Sequence, residues 1–136
     1  MNMSGDDQGK SRMEQACPAV WRSVGCLFSG AGMIASALAA HLHESVFVEG
    51  GRAMLRTASE VMAWHGLALL ALGLASYRFS RLAQLAITAF IPGVLLFVSG
   101  VLITALSGIH PGPIAPSGGS LLIMAWLVLA GALFRR

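Results

Sequence analysis

The stretch LAQLAITAFIPGVLLFVSGVLITAL, Leu82–Leu106, decides the fold class. It carries no charge from end to end. A helix of about 20 residues, rising 1.5 Å per residue, crosses the ~30 Å hydrocarbon core of a bilayer. Working outward, three further runs meet the same test. SVGCLFSGAGMIASALAA occupies Ser23–Ala40, a second run covers Val61–Tyr77, and a last one covers Ser117–Phe134. The apolar/polar alternation of a membrane barrel strand is absent. The sequence therefore predicts an all-α integral membrane four-helix bundle. Its spans are 23–40, 61–77, 82–106 and 117–134. A polar segment, 1–22, is expected as a mobile tail, and 23–136 as a single transmembrane domain.

Composition agrees. Of 136 residues, 56% are hydrophobic and 11% charged, against about 25% charged in soluble domains. That density is too low to clothe a water-facing surface, so lipid is the implied solvent. The net charge of +3 does not indicate nucleic acid, because the basic residues sit at the ends of apolar runs and form no patch.

Cys17 and Cys26 fit neither a redox pair nor a zinc site and read as free thiols. ASALAA, at Ala35–Ala40, has the small-residue look of a signal-peptidase site. The long segment before it, bearing Asp6, Asp7 and Glu14, does not suit a signal peptide, so this run is read as a retained span.

Loop charges set an expected orientation. Lys10, Arg12, Arg22, Arg78, Arg81, Arg135 and Arg136 share one side, and Arg52 and Arg56 the other. By the positive-inside rule both termini face the cytoplasm. Trp21 and Tyr77 are expected in an aromatic belt on that face, and Trp64 near the opposite one. The link from His41 to Glu60 is expected to hold a short interfacial helix, in which Arg56 and Glu60 are spaced to pair. SGIHPGPIAPSGGS, Ser107–Ser120, is too rich in proline and glycine to be helical throughout. Pro92 removes one backbone bond within the third span and is expected to kink it.

Helix association in lipid depends on close backbone approach. Two sets of small residues at spacing four are expected at helix contacts: Gly32, Ser36 and Ala40, and Gly100, Thr104 and Gly108.

Four histidines fall on the side opposite the termini: His41, His43, His65 and His110. His65, at the head of the second predicted span, and His41, at the end of the first, are the two placed to approach each other. An imidazole inside a membrane marks a functional hypothesis. A facing pair can ligate haem iron or a metal, and a single ring can bond a quinone-like head group or move a proton. Alternatively, His65 ties one helix to a carbonyl or side chain of the bundle. No nucleophile, acid and base can be grouped into a catalytic set, so an enzyme is not expected.

Several motifs together resemble the domain of unknown function 423 family, small bacterial inner-membrane proteins that include eukaryotic transmembrane protein 256. They are AAHL (39–42), AWHGLALLALGLA (63–75), GVLLFVSGVLITALSG (93–108) and IAPSGG (114–119), followed by Trp126. The resemblance runs from about Gly30 to the end. It implies four spans and a membrane location, and it places His41, His65, Pro116, Gly118 and Gly119 at recurrent family positions. It supplies no biochemical activity. The chain departs from the family where ASALAAH replaces a glycine-rich stretch, where Trp64 replaces a tyrosine, and where Ser99 is displaced by one residue.

The leading functional expectation is a structural or accessory subunit, docked on other subunits of a larger membrane complex, for which a respiratory complex is a natural host. The alternative is a binding protein for haem, a metal or a quinone-like ligand at His41 and His65. A third reading, an oligomeric small transporter, finds no acid or arginine within the predicted spans to mark an ion path.

Overall fold

The computed structural model describes residues 5–76 and 78–134, with side chains described from Cys17 onward. Tyr77 and the terminal Arg135 and Arg136, used above for the belt and the orientation, lie outside the described residues.

Four helices form in chain order: α1 (Gly5–His41), α2 (Gly51–Leu74), α3 (Arg81–Ser107) and α4 (Ile114–Phe134). Each is long and apolar enough to span a bilayer, with Cys17–His41 as the spanning part of α1. A 3-10 turn, Glu44–Val46, lies between α1 and α2. The segment expected as a tail is helical from Gly5 and runs into the first span.

Two boundaries differ from expectation. The second span begins at Gly51, ten residues before Val61, because no break separates the polar turns around Arg52, Arg56 and Glu60 from the apolar run after them. The loop after α3 is shorter than its composition suggests. Gly108, at φ +71°, ends α3, and α4 starts by Ile114. Pro116 falls in the first turn of α4, where a missing N–H costs nothing, and the Ser117 N–H already bonds the Pro113 carbonyl at 2.8 Å.

The bundle consists of two hairpins. α1 lies antiparallel against α2, and α3 against α4; α2 and α3 join the pairs. Glycines make both hairpins close. A Cβ on Gly25 would stand 2.7 Å from the Gly66 carbonyl oxygen, and one on Gly66 would stand 2.7 Å from the Ser29 nitrogen. In the second hairpin, a Cβ on Gly118 would meet the Phe97 nitrogen and the Gly93 oxygen, and one on Gly100 would lie 2.8 Å from the Ala115 nitrogen. Backbone rests on backbone at these points, which is how helices adhere in lipid.

The α1 packing face is turned from the expected one. Gly32 is buried against Ser59 and Ala63, but Ser36 and Ala40 are exposed, and Phe28, Ala35 and Ala39 complete the buried stripe. Spacing four drifts around a helix of 3.6 residues per turn, whereas alternating three and four holds one face. On α3, Gly100 is a packing residue. Thr104 accompanies Gly108 in ending the helix, its hydroxyl donating to the Gly100 carbonyl at 3.0 Å.

Candidate functional site

Among the described residues, side-chain hydrogen bonds join separate elements at three places. At the end near Arg22 and Arg81, Trp21 is 2% exposed, so it is an interior anchor and not a belt residue. Its indole N–H donates to Thr88 Oγ1 at 3.2 Å, and its ring meets Phe79 edge-on. Thr88 Oγ1 donates in turn to the Gln84 carbonyl at 2.8 Å.

At the opposite end Arg52 clasps α1. Its Nε donates to Glu44 at 2.6 Å, and the remaining guanidinium nitrogens donate to the carbonyls of Leu42 and Ala39, with the group over the Phe47 ring. A cation bonded to the last carbonyls of a helix also complements its dipole. The expected Arg56–Glu60 pair does not form; Arg52 pairs with Glu44 at 2.6 Å. Val48 donates to the Ala105 carbonyl at 3.1 Å and fixes this loop to α3. Sequence reasoning missed the clasp. Arg52 and Glu44 are eight positions apart across a loop, and no local spacing announces such a bond.

The third place is the candidate site, at His65. It is buried, whereas His41, His43 and His110 are exposed. His43 bonds Ser45, and His110 bonds the Gly108 carbonyl, both within the loops. His65 Nδ1 donates to the Val61 carbonyl at 2.8 Å, since a carbonyl can only accept. His65 Nε2 therefore accepts, and its donor is the Trp126 indole N–H at 3.1 Å. Both ring nitrogens are engaged, and the imidazole is the neutral Nδ1–H tautomer. Phe90, fully buried, meets His65 edge-on with centroids 5.4 Å apart and lies 4.7 Å from the Trp126 ring. Three helices meet here: α2 through His65, α3 through Phe90, α4 through Trp126.

His65 is the fifteenth residue of a 24-residue helix, so it lies deep in the span and not at its head. The structure does not bring His41 to it. Gly66 rests on Gly25 and Ser29, which sets His65 level with Phe28 and Ser29 of α1. Thirteen residues of helix, roughly 20 Å, separate that level from His41. His41 ends α1 as an exposed side chain. No group of three or more histidine, cysteine or acidic side chains is placed to hold a metal among the described residues. Ser29 Oγ is buried beside Gly66 without a hydrogen-bond partner.

The family model for the protein of unknown function DUF423 matches residues 35–119. The chain belongs to the DUF423 family. The matched region holds His65, Phe90 and the glycines of the α3–α4 crossing, and it ends before Trp126. Neither a curated protein nor a solved structure matches the chain. For this DUF423 protein the membrane architecture rests on its own four apolar helices, and the family is one of unknown function. Of the positions that the sequence resemblance picked out, Gly118 is a helix contact, Gly119 lies beside the Phe97 ring, and His65 is the interior knot. Ser99, exposed, donates to the Leu96 carbonyl of its own helix.

Proposed function

We propose that this DUF423 protein is a structural accessory subunit, embedded in the bilayer and docked on a larger membrane complex. One observation carries the reading: the His65 ring spends both nitrogens inside the chain, on Val61 and Trp126. The residue best suited to chemistry is a fastener, which leaves the outer faces of the helices to do the work. A ligand at His65 would have to break a bond to Trp126 and enter among packed aromatic rings. A two-histidine site with His41 would have to span the roughly 20 Å of helix between their levels. The charge distribution supports both termini facing the cytoplasm, because seven of the nine basic residues share the terminal side, and a bacterial inner-membrane location is the reading that the family resemblance supports.

Native mass spectrometry of the protein released from its own membranes in mild detergent tests this. The expected result is added mass from other protein subunits. Release without any other subunit overturns the proposal, and a retained small molecule lost on His65→Ala would move the function to the interior.

A further inference from the structure

The lengthened second helix carries charge into the span. Gly73 rests on Arg22 at one end of α2, and Arg52 holds the end of α1 at the other. Glu60 stands eight residues from Arg52 and thirteen from Gly73, about 12 Å and about 20 Å along the helix. It is exposed on the flank of the bundle, and so is Arg56, one turn away on the same face. A carboxylate side chain is too short to reach headgroups from that depth. A charge facing hydrocarbon is costly unless another group pairs with it. Neither side chain has an ion-pair or hydrogen-bond partner among the described residues.

The exposed face has a regular spacing. Ala53, Thr57, Glu60, Trp64 and Leu67 are all exposed and fall at alternating intervals of four and three. That alternation is the seam of two helices packed side by side. Ala53 and Thr57 are small enough to let backbones approach. Arg56 flanks the seam.

We propose that α2 pairs with α2 of a second copy of this chain, about a twofold axis along the membrane normal, with Arg56 of each copy bonding Glu60 of the other. The face is self-complementary: it presents one cation and one anion a helical turn apart, and a parallel twofold pairing uses both of them twice. An isologous contact of this kind closes on itself and leaves no charge over. The two Glu60 carboxylates approach across the seam, and each meets an arginine. The inference goes beyond the docking role, since it states what covers α2 and leaves the α1, α3 and α4 faces for a host.

Cysteine cross-linking of the full chain in its own membranes tests it, in a Cys17→Ser, Cys26→Ser background. Thr57→Cys is expected to cross-link on oxidation to twice the monomer mass, and Ile123→Cys, exposed on α4, is not. Arg56→Glu or Glu60→Arg is expected to weaken association on the order of tenfold, the size of one interhelical bond. Co-expressing the two single variants restores the pair, because their charges are complementary. A Thr57→Cys cross-link to a protein of another mass, equal cross-linking from Ile123→Cys, an unchanged yield after charge reversal, or no rescue on mixing overturns the proposal. Should the reversed chains fail to accumulate, the Thr57→Cys result in the chain with native charges decides. The two readings separate by mass: host subunits with one copy leave docking standing without pairing, and two copies without a host leave pairing standing without docking.

Discussion

The indole nitrogen of Trp126 donates to Nε2 of His65 at 3.1 Å, joining α4 to α2 across the buried ring of Phe90. The bond links the two hairpins through their centre, where glycine contacts do not reach. Interhelical hydrogen bonds in membranes contribute about 0.6 to 1.7 kcal/mol. Trp126→Phe and His65→Phe keep aromatic packing and delete the bond. A double-mutant cycle read by denaturant titration in detergent should give a coupling near 1 kcal/mol. A coupling of zero would mean that the rings merely pack.

The hairpins themselves depend on missing side chains. A Cβ on Gly66 would lie 2.6 Å from Ser29 Oγ and 2.7 Å from its nitrogen, and one on Gly118 would press on the Phe97 backbone. Gly66→Ala and Gly118→Ala should each cost about 1 to 3 kcal/mol by forcing helices apart. Gly30→Ala meets nothing within 4 Å and should change stability by well under 1 kcal/mol. Thermal unfolding of the three variants in one detergent makes the comparison.

How much of this was legible in the sequence depends on range. Uninterrupted apolar runs such as Leu82–Leu106 betray spans, since burial in lipid acts on every residue of the run. The start of α2 was hidden because Arg52, Arg56 and Glu60 look like a loop by charge. Arg52 is held across the loop by the carbonyls of Leu42 and Ala39, contacts ten and thirteen positions away that the sequence does not reveal. The candidate site was half visible. His65 stood out as a lone imidazole in an apolar run, but its partner Trp126 lies sixty-one positions away. Pairing it with His41 followed from placing both near one interface, and that placement failed with the boundary.

The clasp at Arg52 gives a different test. Three acceptors, Glu44, Leu42 and Ala39, converge on one planar guanidinium. Arg52→Ala should free the last turn of α1, costing about 1 to 3 kcal/mol locally. Arg52→Lys should rescue little, because a point charge cannot match the fork. Amide exchange at residues 39–48 is expected to accelerate in both variants, while α4 exchanges as before. Full rescue by lysine would reduce the clasp to simple charge attraction to the helix end.

Trp64 reports the depth of α2 directly. It is 65% exposed on the bundle flank, and it stands thirteen residues from Gly51 and ten from Leu74, about 20 Å and about 15 Å along the helix. A helix beginning at Gly51 puts this indole near the bilayer centre, whereas a span beginning at Val61 puts it at the interface. With Trp21→Phe and Trp126→Phe, Trp64 becomes the sole indole. Its fluorescence in vesicles should be quenched more strongly by lipids brominated near the ends of their acyl chains than by lipids brominated near the headgroup. Glu60, one turn from Trp64 on the same seam, shares that depth to within about 6 Å. Stronger quenching from the headgroup side would lift Glu60 into water, remove the need for Arg56 of a second copy, and return His65 to the membrane surface.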